Sequence, residues 1–267
     1  MPINIVVCAK QVIDPETPAS AFRVDTDTRR VIPAQGIPPV VNGFDENAVE
    51  AALRIRDSAD AEATITIVSV GNNFVMDVMK KPLSMGADHL VLVQDEALED
   101  LDAFVTARVL SEAIKKIGEF DLVLCGRQAS DWDNAQVPLG LAEMLGLPSV
   151  TIAQKIEVAD GALTVERALF DGYEVVEASL PALVTVSNEL GEPRYPTLRG
   201  IMAASKKSPT IWTAADLGLD ASDLSARVLL TDLFVPTSAK RCEFIEGENE
   251  ADAGRNLALR LREEKLI

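Results

Sequence analysis

Short, nearly continuous apolar runs recur along the first half of the chain, at residues 3–9, 63–70, 89–93 and 121–125. Strands covered on both faces have this texture, because neither row of side chains meets water. Gly71 and Gly126 close two of the runs. The segments between them carry helical spacing. Residues 45–58 put Val49, Ala52 and Leu53 on one face, with Asp45 as the expected N-cap. Residues 100–117 repeat Ala103, Ala107, Leu110, Ile114 and Ile117 at intervals of four and three. Shorter helices are expected over 73–80 and 134–145, where Pro138 is tolerable in a first turn. Residues 21–32 alternate around Asp25-Thr26-Asp27-Thr28 and read as a hairpin. This strand–helix alternation calls for an α/β fold, a doubly wound, mostly parallel sheet with helices on both faces.

The texture changes after Pro148. Residues 151–157, 162–169 and 174–178 alternate between apolar and polar, with turns at Ala159-Asp160-Gly161 and Asp171-Gly172. They predict an antiparallel extension of the sheet. Residues 182–186 predict one more buried strand, and 187–207 a polar loop followed by a short helix. From Pro209 the chain is irregular: Thr210-Ile211-Trp212, two Asp-rich turns, then an apolar stretch at 228–235. A final helix is expected over 250–265, with Leu257 and Leu261 on one face. A C-terminal arm this thin in core-forming residues is expected to lie along another surface.

Aromatic residues are only 4% of the chain, so the core falls to Val, Leu, Ile and Ala. The formal net charge of −17 argues against nucleic acid and anionic membranes as partners. A bound anion must then be held by backbone N–H groups or by local Arg and Lys. Cys8, Cys125 and Cys242 lie far apart with no CxxC, which excludes a zinc knuckle or a thioredoxin-type pair. The expected setting is reducing and cytoplasmic. His89 is the only histidine and reads as the entry to a strand, so two-histidine metal sites are excluded. The pair Asp131/Asp133 and the five acidic residues between Asp95 and Asp102 are ordinary in a chain with 42 Asp and Glu. No metal site is expected. No run of 18 apolar residues predicts a membrane span, and a first strand at Ile3 leaves no room for a leader peptide.

Neither GxGxxG nor the Walker pattern occurs. Two other loops stand out by position. Val41-Asn42-Gly43-Phe44-Asp45-Glu46-Asn47 lies between the hairpin and a helix N-terminus. Gly126-Arg127-Gln128-Ala129-Ser130-Asp131-Trp132-Asp133-Asn134-Ala135-Gln136-Val137 leaves the carboxyl end of a strand and enters a helix. Doubly wound sheets bind ligands at such places. Free N–H groups near residues 134–137 would face an anion, and Gln128, Asn134 and Gln136 can add hydrogen bonds. An ordinary capped βα loop is the plainer reading of the same residues. Cys125 reads as a packed thiol, and Trp132 as a ring cover or a packing contact. Leu190, alone in the polar stretch Ser187-Asn188-Glu189-Leu190-Gly191-Glu192-Pro193-Arg194-Tyr195-Pro196, is a candidate anchor for a partner's pocket.

Several segments act together: Ala9-Lys10-Gln11-Val12-Ile13-Asp14, residues 42–49, Ser84-Met85-Gly86-Ala87-Asp88 and residues 126–137. Val165-Glu166-Arg167 with Gly172 and Glu174, Leu180-Pro181-Ala182-Leu183-Val184-Thr185, and residues 188–202 complete the set. In order and spacing they resemble the beta subunit of electron-transfer flavoproteins, over nearly the whole chain. The resemblance implies an adenine-nucleotide-binding α/β domain at 1–208, and an arm with a helix at 209–267 that packs on the alpha subunit. It implies a heterodimer in which the alpha subunit holds a redox FAD and this chain completes the flavin's surroundings. Electrons then pass from an acyl-CoA dehydrogenase or similar flavoenzyme to a quinone oxidoreductase, and the chain itself breaks no bonds. A structural AMP would be contacted by Cys8, Ala9, Asn42, Gly43, Phe44, Asp45, Val70 and residues 126–137. Residues Glu189, Leu190, Gly191, Glu192, Pro193, Arg194 and Tyr195 would form the partner-recognition loop, with Leu190 at the anchor position.

The chain departs from the family pattern at Phe170-Asp171 and at Arg127, where many members carry lysine. Electron-bifurcating relatives hold a second FAD in place of AMP and react with NADH. In them a Val-Gly-Pro is expected where this chain has Val137-Pro138-Leu139-Gly140, which leans toward AMP. A nucleotide-dependent adenylate-transferring enzyme and a nucleotide-sensing homodimer on the same type of sheet are the competing readings.

Overall fold

The computed structural model describes residues 2–58, 62–159, 161–236 and 242–267. The first half runs β1 (Ile3–Cys8), β2 (Gln11–Val12), β3 (Arg23–Asp25), β4 (Arg30–Ile32), β5 (Val40–Val41), α1 (Gly43–Ser58), β6 (Ala63–Gly71), α2 (Met76–Met79), α3 (Lys81–Met85), β7 (His89–Gln94), α4 (Ala103–Ile117), β8 (Leu122–Gly126) and α5 (Val137–Leu145). The second runs β9 (Ser149–Ala159), β10 (Ala162–Leu169), β11 (Gly172–Ser179), β12 (Ala182–Val186), α6 (Leu198–Lys206), β13 (Thr210–Trp212) and α7 (Glu250–Glu263).

Nine strands form one sheet in the order β11-β10-β9-β12-β8-β1-β6-β7-β13. From β9 through β13 the pairings are parallel; β9, β10 and β11 pair antiparallel. The expected doubly wound sheet with an antiparallel extension is what forms. The apolar runs predicted as buried strands sit at its centre, and β8 and β12 are buried at every position. Alternate residues feed two cores. Ile5, Val7, Ile65, Ile67, Leu122 and Leu124 pack under α1 on one face. Val6, Cys8, Val68, Val123 and Cys125 pack under α4 and α5 on the other. Burying each such Val, Leu or Ile contributes roughly 1.5–3 kcal/mol, so few side chains in these rows can be trimmed without loss.

Several boundaries differ from expectation, each for a local reason. The helix expected from residue 134 starts at Val137, because Asp133 and Ala135 have left-handed φ of 51° and 53°. The helix expected over 73–80 is a single turn, Met76–Met79, and a second short helix, Lys81–Met85, follows it, split off before Pro82, which has no N–H to continue the first. The helix expected from residue 100 begins at Ala103, with Asp102 as its cap and Asp100 at φ 56°. β9 changes partner midway, and Ile152 takes φ 61° at the irregularity between parallel and antiparallel pairing. Asp160, in the turn expected at 159–161, lies outside the described residues. Residues 228–235 form no strand.

The arm is tied down where it leaves the body. Asp102 caps α4 through Val105 N–H at 2.8 Å, and its other oxygen accepts from the N–H of Arg227 and of Val228, the latter at 2.8 Å. Burial alone would raise this carboxyl, but the backbone donors overrule it and hold it below the usual range. The Arg227 guanidinium lies 3.5 Å over the Phe104 ring, and Arg29 Nη1 donates to the Leu230 carbonyl at 3.0 Å. Further out, Val228, Leu229, Phe234 and Phe244 are exposed, and no residue of α7 is buried.

Asp102→Ala removes a helix cap and the clip on the arm together. It is expected to lower stability by about 1 kcal/mol in a urea titration, and to make the Arg227–Val228 bond sensitive to trypsin. Asp102→Asn, which keeps one acceptor, should fall between the two.

Candidate functional site at the sheet reversal

From β1 the chain moves outward through β6 and β7, then returns to the opposite side of β1 as β8. The carboxyl ends of β1 and β8 therefore diverge, and this is where a doubly wound sheet leaves a crevice. The Asp45 side chain bridges that gap. Its Oδ2 accepts from Lys10 N–H at 2.8 Å and its Oδ1 from Gly126 N–H at 3.0 Å. Asp45 lies in the first turn of α1, not at its N-cap as expected, and its carboxylate serves the two strand ends instead. Burial pushes its pKa up to about 7, against the Lys10, Asn42 and Gly126 donors, which favour the ionised form. Gly126 makes the approach possible: a Cβ there would lie 2.7 Å from the Phe44 carbonyl carbon and would strike the Asp45 carboxylate.

Asn42 is 1% exposed and holds the second loop from beneath. Its Nδ2 donates to the Gln128 carbonyl at 2.8 Å, and its Oδ1 accepts from Ser130 N–H at 3.1 Å. The loop is stapled further by Lys10 Nζ to Asp131 at 2.7 Å, and by Gln128 Nε2 to Asp133 at 2.8 Å. The Ala129 carbonyl accepts from the N–H groups of Trp132 and Asp133. Asp131 and Asp133 are thus loop staples. Among the described residues, no group of three or more His, Cys, Asp or Glu comes together to hold a metal ion.

Beside these satisfied groups stand unsatisfied donors. Four buried side-chain polar atoms lack partners among the described residues, and two of them, Arg127 Nε and Ser130 Oγ, belong to this one loop. Gln136 occupies the N-cap of α5 without a side-chain hydrogen bond. The left-handed φ at Ala135, followed by right-handed Gln136, is an alternation that turns successive N–H groups toward one point. The Arg127 guanidinium sits 4.9 Å from the Phe44 ring centroid, which fixes its plane beside the loop. Donors, a cation and a helix N-terminus together suit an anion such as a phosphate. Cys8, Cys125 and Val70 line the face under α4 and α5 at the same strand ends, and Ala9 closes the end of β1 on the other face. A shared hydrogen bond with Cys8, reinforced by burial, pushes the Cys125 thiol pKa up, so it is a packed thiol as expected. Trp132 is half exposed.

Leu190, the candidate anchor, is expected to be exposed, and in that the structure differs. Leu190 is 8% exposed, in a 3-10 turn over Asn188–Leu190. It sits over a pocket of about 60 Å3 lined also by Ala51, Arg54 and Ile156. The polar look of residues 187–196 hid this, because the apolar partners come from α1 and β9. What stands exposed is Tyr195, 91% accessible, with Leu198 and Met202 on α6. Glu189 accepts from Ser187 Oγ, which with the nearby Arg127 charge lowers its pKa, so this loop and the crevice loop are neighbours. Lys10 and Glu50 were missed as functional side chains. For Glu50 the available signal was an acid inside the apolar stripe of a helix, four residues before Arg54.

Residues 30–217 match the family model described as the electron transfer flavoprotein domain. The chain is 39% identical over 269 residues to an electron transfer flavoprotein subunit beta of Thermoanaerobacterium thermosaccharolyticum, covering 99% of this chain and 100% of that one. It is 36% identical over 268 residues to the caffeyl-CoA reductase-Etf complex subunit CarD of Acetobacterium woodii, covering 99% and 100%. A Megasphaera elsdenii electron transfer flavoprotein subunit beta is 39% identical over 86% of this chain and 87% of its own.

Two outcomes test the crevice geometry. Gly126→Ala overpacks the Asp45 clamp and should cost about 1–3 kcal/mol in denaturant unfolding. Asp45 has a folded pKa of about 7 against an ordinary 3.8, so its contribution to stability is complete below about pH 4 and is lost as pH rises toward 7. The stability of wild type minus that of Asp45→Asn should therefore fall as pH rises across that window. A difference that stays flat means that the carboxyl is not held in the way the geometry implies.

Proposed function

The chain belongs to the electron transfer flavoprotein family, among its beta subunits, and from that premise we propose that it binds an adenine nucleotide in the crevice between β1 and β8 and serves as the non-catalytic half of a heterodimeric electron carrier. The observation that carries this reading is the pair of buried, unpartnered donors, Arg127 Nε and Ser130 Oγ, beside an uncapped helix N-terminus. Residues 127–137 would hold the phosphate. Cys8, Ala9, Val70, Asn42, Gly43, Phe44 and Asp45 would line the nucleoside. We assign the nucleotide as AMP with a structural role: binding only to the folded state, it stabilises that state by linkage.

The partner in this reading is an alpha subunit, whose FAD supplies the redox chemistry. This chain's own residues position and cover. The exposed apolar residues of the arm, Val228, Leu229, Phe234 and Phe244, support an arm that lies on that subunit, since a patch of this kind marks an interface. The loop at 189–195 would dock an acyl-CoA dehydrogenase or similar flavoenzyme, with Leu190 leaving its pocket to act as anchor, and electrons would continue to a quinone oxidoreductase. The net charge of −17 would steer basic patches on such partners. Three free thiols support a reducing, cytoplasmic setting. Among the described residues, no helix is long and apolar enough to cross a membrane.

A second reading is favoured by the full-length similarity to a subunit of a caffeyl-CoA reductase-Etf complex. In it the crevice holds a second FAD in place of AMP, and the complex reacts with NADH. Pro138, which removes one N–H from the first turn of α5, weighs against a diphosphate there.

Arg127→Ala in the purified heterodimer tests the site. Adenine nucleotide retained by this subunit after gel filtration should fall at least about tenfold, the equivalent of one charge-assisted contact, while the heterodimer stays intact. Unchanged retention contradicts the assignment. Anaerobic NADH separates the two readings: bleaching of the flavin absorbance by NADH alone selects the second, and no bleaching the first.

A further inference from the structure

Helix α1 presents a row of polar side chains to the loop at 188–195. Asn47, Glu50, Arg54 and Asp57 follow at spacings of three and four, so they share one face. Asn47 Nδ2 donates to the Gly191 carbonyl at 2.8 Å, and Arg54 Nη1 to the Leu190 carbonyl at 2.8 Å. Glu50 is at the centre and only 4% exposed. Its Oε2 accepts from Arg194 N–H at 3.1 Å and Arg194 Nε at 2.8 Å, and its Oε1 accepts from Arg54 Nε at 2.9 Å. Arg194 Nη2 reaches Asp57 at 2.9 Å. Burial alone would lift the Glu50 carboxyl; the two guanidinium groups overrule it and hold it below the usual range. Every other described tie between α1 and the backbone of this loop is a single neutral or one-ended hydrogen bond, whereas Glu50 grips Arg194 by both backbone and side chain.

We propose that Glu50 is the positioning residue of the docking loop, holding the backbone of residues 190–194 in one conformation, so that Tyr195 is presented to a flavoenzyme partner without an ordering step and only the Leu190 side chain has to turn out of its pocket. This rests on the docking role proposed above for the loop. A buried carboxylate between two arginines is a costly way to gain stability alone, because desolvation offsets much of the Coulomb attraction. What it does well is select one arrangement. The Arg194 side chain, whose Nη2 also donates to Glu50 Oε1 at 3.3 Å, forms a fork that accepts a single geometry, and Leu190 of the same loop covers a pocket of about 60 Å3. Without Glu50, Arg194 keeps only the exposed pair with Asp57, and a surface pair of that kind is worth little.

The test compares wild type, Glu50→Gln and Arg194→Lys as full heterodimers. Amide hydrogen exchange is read on peptides covering 188–195, and flavin reduction is followed by titrating the flavoenzyme that couples to the wild type. The expected result is faster exchange confined to 188–195 and a rise in KM for the flavoenzyme on the order of tenfold, the factor by which the competent loop population falls, with kcat and FAD content unchanged. Arg194→Lys removes the fork at a half-exposed position and keeps the readout interpretable if Glu50→Gln folds poorly. Unchanged exchange in both variants overturns the positioning role. Faster exchange with unchanged KM leaves Glu50 holding the loop and overturns the docking role of the loop itself.

Discussion

Where the sheet reverses its strand order, two peptide N–H groups run out of strand to pair with. Lys10 and Gly126 stand at the diverging ends of β1 and β8, and one buried carboxylate, Asp45, satisfies both. An unpaired buried N–H costs about 1–3 kcal/mol, so leaving this gap unbridged would be expensive twice over. The bridge also fixes the start of α1 against the two strands. With that helix placed, Asn42 carries the loop at 127–136 from its N-terminal end, and Asn47, Glu50 and Arg54 carry the loop at 190–194 farther along. One helix thus sets both the crevice and the loop next to it.

Two acidic residues five positions apart on this helix are both buried, and their titration moves in opposite directions. Burial takes the Asp45 pKa up to about 7, because the donors in direct contact with it are all neutral and offset only part of that effect. Glu50 sits between two guanidinium groups and its pKa falls. The contrast separates their tasks. Asp45 joins backbone to backbone at the rim of the crevice. Glu50 holds charge against charge and selects a loop geometry.

The strands were legible because burial on both faces writes a continuous apolar run, and β8 and β12 are the clearest instances. The helices α1 and α4 were legible in period but less so in their first turn. Asp45 looks like a cap, since nothing in a linear pattern says that two distant N–H groups need its oxygens more. The start of α5 was misplaced because Asp133 and Ala135 take left-handed φ in a loop held by Asn42 from across the sheet and by the local Gln128–Asp133 bond, which the residue types alone do not signal. The outline of the crevice was readable from position alone: a loop leaving a strand and entering a helix. Lys10 and the buried state of Leu190 were not, because each depends on residues more than a hundred positions away, at Asp131 in one case and at Ala51 and Arg54 in the other.

The central claim is that the crevice held open by Asp45 carries an adenine nucleotide while the partner subunit carries the redox flavin. Its most direct test is to denature the purified heterodimer and quantify the released nucleotides by chromatography and mass. One FAD and one AMP per heterodimer is the predicted result. Two FAD and no AMP would contradict the structural role given to this subunit's nucleotide and make the crevice a redox site, and release of FAD alone would leave the crevice without the ligand on which the account rests.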